Sequence, residues 1–168
     1  MIESIKNRRS IRKFKPDKQV TKEQLNQLME AAMYTPSACN TRPWEFIAIT
    51  NREMLDEIAR IHLHAKMCAT ATAAIIIVAL PQSEPLPEGF FPQDCGAATQ
   101  NILLEADNMG LGTCWCGVYP KMEKVEAIAK MFNIEEGKIP FNILAVGYPD
   151  ESPDARGFFE QAKVTYVE

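Results

Sequence analysis

The sequence predicts one domain, residues 1–168, that mixes amphipathic helices with buried strands. Three observations lead there. A chain of 168 residues can bury a core of its own, and 46% hydrophobic with 24% charged residues is ordinary globular composition. Ala73 to Leu80 is an unbroken apolar run with a β-branched centre, the pattern of a central strand covered on both faces. Between such runs, apolar residues recur at helical spacing.

In chain order, residues 2 to 7 read as a short helix leading into Arg8-Arg9-Ser10-Ile11-Arg12-Lys13-Phe14, and Pro16 ends regular structure. Thr21 opens a helix through a capping box with Gln24; Leu25, Leu28, Met29, Ala32 and Met33 form its apolar face. Pro36 stops it. Pro36-Ser-Ala-Cys-Asn-Thr-Arg-Pro-Trp44 is a loop of small and amide residues, either a polar turn or a place where backbone approaches a flat ligand closely. Phe46 to Ile49 reads as a buried strand. Asn51 caps a helix to about His64, on which His62 and His64 face apart and serve as surface or packing residues. After the Ala73–Leu80 strand, Pro81 to Pro92, with Leu86, Phe90 and Phe91, has the length of a lid or binding loop. Asp94 starts a long helix to Met109 with Ala97, Ala98, Ile102, Leu103 and Ala106 on a tight face, ended by Gly110-Leu-Gly112. Thr113 to Tyr119 is a strand, and Pro120 to Phe132 a helix burying Val125, Ile128, Ala129 and Phe132. Phe141 to Val146 is a core strand, followed by Gly147-Tyr-Pro149. Lys163 to Glu168 alternates like a strand but has no hairpin partner in sequence.

Charge and cysteine usage narrow the chemistry. The formal net charge of -4 argues against broad nucleic-acid binding. Yet seven of the eighteen Lys and Arg fall before residue 19, so positive charge is local and suits a small anionic ligand. Arginine forks stay charged and serine adds a neutral donor, which fits a phosphate; a solvated basic helix face is the plainer alternative. Five cysteines without Cys-x-x-Cys spacing read as reduced thiols, and Cys114-Trp-Cys116 is a poor zinc pattern, so no metal is expected. Met1-Ile2-Glu3 leads into polar residues and the apolar part of Met67 to Ser83 is too short for a bilayer, so a cytoplasmic protein without membrane contact is expected. There is no Gly-x-x-x-x-Gly-Lys-Ser/Thr loop and no Gly-x-Gly-x-x-Gly after a strand. Ser37 lacks a nucleophile elbow, and Glu105 and Asp107 do not face each other. What remains is a phosphate cluster and small-residue loops without an evident acid, base or nucleophile. That combination fits a protein whose reactive group is a cofactor.

Arg8-Arg-Ser-Ile-Arg12, Pro36-Ser-Ala-Cys-Asn-Thr-Arg-Pro-Trp44, Asp94-Cys-Gly-Ala-Ala-Thr-Gln-Asn101, Gly110-Leu-Gly-Thr113 and Gly147-Tyr-Pro149 occur in this order. Together the five motifs resemble the FMN-dependent nitroreductase family over nearly the whole chain. The resemblance implies an α+β fold, a mostly antiparallel central sheet flanked by helices. It implies a homodimer with two FMN sites, the C-terminal strand exchanged between subunits, and the helix from Asp94 in the dimer core. Arg8, Ser10 and Arg12, with Arg9 beside them, match positions that hold the FMN phosphate and ribityl chain. Ser37, Ala38, Cys39 and Asn40 match a loop laid along the flavin from the other subunit. Trp115, Cys116 and Gly117 match the stretch near flavin N5, and Arg156 a basic tail position at the phosphate. No catalytic side chain is implied. The chemistry implied is hydride transfer from NADH or NADPH through the flavin to a small-molecule acceptor, a nitroaromatic, a quinone or an activated alkene, in ping-pong fashion. Arg42 departs from the glutamine common before the Pro-Trp pair, and its charge would raise the flavin's reduction potential. Phe158 stands where a second basic tail residue is common, and the lid residues of halotyrosine deiodinases are not evident in Pro81 to Pro92. A flavin carrier or redox sensor using Cys114 and Cys116 is the alternative function, and a basic segment engaging acidic or nucleic partners a further one.

Overall fold

The computed structural model of the protein describes residues 1–81 and 89–168. Among these residues four strands, β1 (Trp44–Ile49), β2 (Ala73–Ala79), β3 (Gly112–Gly117) and β4 (Ile139–Gly147), form one sheet in the order β1-β2-β4-β3, and every neighbouring pair is antiparallel. β2 and β4 are therefore central. All seven residues of β2 are buried, as a strand covered on both faces requires.

Among the described residues five α-helices complete the layers: α1 (Glu3–Asn7), α2 (Lys22–Met33), α3 (Arg52–Ile61), α4 (Phe91–Asn108) and α5 (Met122–Met131). The strand period of two sorts the core. Ala73, Ile75, Ile77 and Ala79 face Leu25, Leu28 and Ala32 of α2 and Ala98, Ile102 and Ala106 of α4. Ala74, Ile76 and Val78 face Leu55 and Ile58 of α3 and Val125 and Ile128 of α5. One buried polar link crosses the first layer: Asn142 Nδ2 donates to Thr99 Oγ1 at 2.8 Å, which in turn donates to the Cys95 carbonyl.

Several expectations need correction. Met33 is 49% exposed, so the apolar face of α2 ends at Ala32. β1 is an edge strand, which leaves Ala48 exposed and Phe46 and Ile47 half-buried. The capping box of α2 is present in both directions, and Asn51 Oδ1 accepts from the Met54 N–H as expected. However, α3 ends at Ile61, because His62 turns inward. α4 starts at Phe91, three residues before Asp94, with Pro92 in its first turn where a missing N–H costs nothing. Ala97 is exposed in the single chain, Ala129 and Phe132 are half-buried rather than buried, and α5 begins at Met122 rather than Pro120. The lid expected over Pro81 to Pro92 falls largely on residues 82–88, Leu86 included, which lie outside the described residues. The tail has a single 3₁₀ turn at Gln161–Lys163, and Val164 to Val167 pair with no strand among the described residues.

Candidate functional site

The basic segment is extended rather than helical, and it docks on the outer edge of β3. Ser10 bridges Thr113 in parallel, and the Ile11 N–H donates to the Thr113 carbonyl at 2.9 Å. Two apolar side chains anchor it. Ile11 is 7% exposed and lies against Gly112; Phe14 is 2% exposed and lies against Gly147. A Cβ on Gly112 would sit 2.9 Å from three Ile11 carbons, and one on Gly147 would sit 2.8 Å from Phe14 Cδ1. Neither position has a positive φ, so these glycines serve close approach, not a turn.

Downstream of Pro149 the chain returns along the same segment. The Asp150 N–H donates to the Lys13 carbonyl and the Lys15 N–H to the Tyr148 carbonyl, both at 2.9 Å. Glu151 Oε1 accepts from the Arg12 and Lys13 N–H groups. With the backbone so tied, the Arg8, Arg9 and Arg12 side chains remain outside. Among the described residues none of the three guanidinium groups enters an ion pair or donates a hydrogen bond to protein. Arg8 and Arg9 line a cavity of about 190 Å³ with Asp107, Gly112, Thr113 and Glu151. A cluster of unpaired guanidinium groups around a cavity beside a serine is a fit for a phosphate dianion.

β3 carries Trp115, Cys116 and Gly117 out from this docking point. Trp115 is 39% exposed and its ring edge approaches Gly96 of α4. Cys114 and Cys116 turn to the other face and are buried. A hydrogen bond from Cys116 pulls the Cys114 thiol down to about 7, burial opposes this, and the Arg12 and Arg8 charges add to it. The same bond and burial push Cys116 up, and burial pushes Cys68 up to about 12. Gly117 is exposed, and its carbonyl accepts from His62 Nε2 at 2.9 Å. The His64 N–H donates to His62 Nδ1, which fixes the proton on Nε2. Burial and nearby Lys124 hold the His62 pKa below its ordinary value.

The second group of expected residues forms a separate, strained loop. Ala38–Asn40 is a 3₁₀ turn in which Cys39 and Asn40 have φ near 50° and 54°, and Arg42 follows at 49°. Three non-glycine residues in the left-handed region within four positions is unusual and costs about 1 kcal/mol or more each. Contacts hold it there. Ser37 Oγ accepts from the Arg42 N–H at 2.8 Å, and Asp94 Oδ1 accepts from the Ala38 N–H at 3.1 Å. Asp94 is 7% exposed and its Oδ2 is buried without a partner among the described residues. Asn40 and Arg42 line a cavity of about 570 Å³ with Met33, Tyr34 and Pro36, which shares no residue with the Arg8 cavity. Within one chain, then, the structure brings Arg8, Arg9, Ser10 and Arg12 to the strand that carries Trp115, Cys116 and Gly117, and leaves the Ser37–Arg42 loop apart from them, with Asn40 and Arg42 lining a different cavity. Arg156 is exposed in the tail and lines neither cavity.

Sequence reasoning missed Asp94 and Glu151 as anchors. No local signal marks them, because their partners lie 56 and 139 residues away. Among the described residues no group of three His, Cys, Asp or Glu could hold a metal ion, and no helix is long and apolar enough to cross a membrane.

Comparison with known proteins agrees with this architecture. The chain is 44% identical over 164 residues, 98% of its length and 85% of the relative's, to a Methanothermobacter thermautotrophicus protein provisionally named NADH dehydrogenase/NAD(P)H nitroreductase. An FMN-dependent nitroreductase from Clostridium difficile superposes with a TM-score of 0.90 at 29% identity, covering 100% of this chain and 99% of that one. A provisionally assigned nitroreductase from Desulfovibrio desulfuricans, solved in complex with FMN, superposes with a TM-score of 0.82 at 25% identity, covering 99% and 95%. The profile of the Nitroreductase family matches residues 5–66 and 59–148, nearly the whole folded body, and the chain belongs to that family.

Proposed function

We propose that the protein is an FMN-dependent oxidoreductase. It takes a hydride from NADH or NADPH and passes it to a small electron acceptor such as a nitroaromatic or a quinone. The observation that carries this reading is the set of arginines Arg8, Arg9 and Arg12, which form no ion pair among the described residues and whose segment docks at Gly112 and Thr113 on the edge strand that carries Trp115–Gly117. The names of the relatives and the FMN found in one of the solved structures support it.

Bound FMN supplies the hydride chemistry, and the protein's part is binding and electrostatics. Arg8, Arg9, Ser10 and Arg12 hold the phosphate and ribityl chain, and Arg156 reaches the same phosphate from the tail. The Trp115–Gly117 backbone flanks the ring. Ser37, Ala38, Cys39, Asn40 and Arg42 flank it from the other protomer of a homodimer. Two features favour such a shared site. The strained loop and the arginine cluster line different cavities of one chain. The tail also leaves Phe158 80%, Phe159 73% and Val167 96% exposed, an apolar surface that dimer formation would cover. A redox-sensor reading through Cys114 and Cys116 is less favoured, since both thiols are buried. A single domain in the cytoplasm, where both nicotinamide donors are at hand, completes the proposal.

The purified protein should be yellow with a flavin spectrum, sediment as a dimer, and oxidise NADH or NADPH only when an acceptor is present, with parallel double-reciprocal plots. A colourless protein that refuses added FMN and sediments as one chain would end this reading.

A further inference from the structure

A carboxylate sits among the cations of the docking segment and neutralises none of them. Glu151 lines the cavity with Arg8 and Arg9 and stands close enough to Cys114 to oppose the pull of Arg12 and Arg8 on its thiol. It forms no ion pair among the described residues. Its Oε1 instead takes the N–H groups of Arg12 and Lys13, two consecutive residues 139 and 138 positions away. A negative charge close to a phosphate site opposes phosphate binding unless it does something else. Here it satisfies two adjacent amide donors that leave the β3 edge after Ile11 and have no strand partner among the described residues.

We infer that Glu151 is a positioning residue for the phosphate cluster, an inference that rests on the FMN reading above. The carboxylate fixes the Arg12–Lys13 backbone against the start of the tail. Phe14 on Pro149, Asp150 on Lys13 and Lys15 on Tyr148 extend the same ribbon. The ribbon turns Ile11 and Phe14 inward, where both are buried, and leaves the Arg12 side chain exposed. The tail begins at the same residue, so a protomer whose tail is drawn across to its neighbour also draws on the clamp. Phosphate grip and tail placement are thereby linked through one side chain.

Charge and hydrogen bonding separate in two variants, Glu151→Gln and Glu151→Ala. Glutamine keeps a carbonyl acceptor and removes the charge; alanine removes both. Two readouts are measured on each: hydrogen exchange of the Arg12 and Lys13 amides in the FMN-free protein, and FMN affinity by flavin fluorescence quenching across a salt series. The expected result is that Glu151→Ala exchanges both amides at least about tenfold faster and binds FMN about tenfold more weakly, a change worth about 1.4 kcal/mol. Glu151→Gln keeps slow exchange and binds FMN at least as tightly as the parent, with the gain fading at high salt. Slow exchange in Glu151→Ala overturns the clamp. Fast exchange with undiminished FMN affinity overturns the link to phosphate, and equal weakening in both variants means the charge itself matters rather than the acceptor. If the parent protein itself refuses FMN, the FMN reading and the phosphate role fall together, while the exchange arm still decides whether the clamp exists.

Discussion

Gly147→Ala tests the docking of the basic segment with a single methyl group. The new Cβ would stand 2.8 Å from Phe14 Cδ1, 3.2 Å from its Cγ and 3.3 Å from its Cβ. Carbon atoms in good contact sit about 3.5–4.0 Å apart, so the ring must retreat by about half an ångström or more. Phe14 is 2% exposed and shares a cluster with Ile11, Ile143 and Ala145, which leaves it little room. Overpacking of this kind costs about 1–3 kcal/mol. The backbone of Gly147 is ordinary strand, so alanine also narrows the unfolded ensemble and returns about 0.4–1 kcal/mol. The net expectation is a loss of about 1–2 kcal/mol. With a urea m-value near 2 kcal/mol/M, that moves the midpoint down by about 0.5–1 M. The assay is urea unfolding followed by far-ultraviolet circular dichroism at one fixed protomer concentration, since any dimer makes the midpoint concentration-dependent. The control is the cycle with Phe14→Ala. Phe14→Ala alone costs about 3–5 kcal/mol, and adding Gly147→Ala to it should cost little further, because the ring it would strike is gone and only the 3.3 Å approach to the Cβ of residue 14 remains, beside the space the ring has left. An unmoved midpoint in Gly147→Ala, or the same loss in both backgrounds, would refute the account of Gly147 as the seat of Phe14.

Three further outcomes follow from the site. His62 has a folded-state pKa below its unfolded value, so on acidification the unfolded chain takes up the proton first; the stability it contributes is complete above about pH 6.5 and declines as pH falls from there towards the depressed folded value. Urea midpoints between pH 7.5 and 5 should show this decline in the parent and a flatter profile in His62→Gln, and an identical slope in both would remove His62 as its source. Asp94→Ala leaves the Ala38 N–H without its acceptor and frees the strained loop; a destabilisation of about 1–3 kcal/mol in urea unfolding is expected, and an unchanged midpoint would show that Asp94 does not hold the loop. Arg42→Gln should lower the midpoint potential of bound flavin by about 30 mV, equivalent to about 1.4 kcal/mol for a two-electron couple, and a spectroscopic redox titration showing no shift would deny Arg42 any influence on the flavin.

Local chemistry was legible in the sequence wherever the partners were near. Thr21 and Gln24 are three residues apart, and their reciprocal bonds form as the pattern foretells. The β-branched run of β2 could only be a strand buried on both sides. Boundaries went astray where a distant residue decided them. Asp94 looks like the cap of a helix, yet its side chain serves Ala38 across 56 positions, and α4 begins earlier. α3 stops at Ile61 because His62 bonds Gly117, 55 residues on. The motifs located the arginines and the loop, but not what holds either in place. Glycines 112 and 147 were legible as motif members and silent about their purpose, which depends on Ile11 and Phe14 reaching them from the far end of the chain.

The loop from Ser37 to Arg42 has a bearing on engineering. Cys39, Asn40 and Arg42 occupy backbone states that glycine adopts without steric strain. A library screened only for heat resistance would therefore be drawn to glycine at these positions. Variants chosen that way would gain robustness and surrender the stiffness of this surface; on the proposed reading, in which the loop flanks the flavin of the other protomer, selection for durability and selection for turnover should diverge here first.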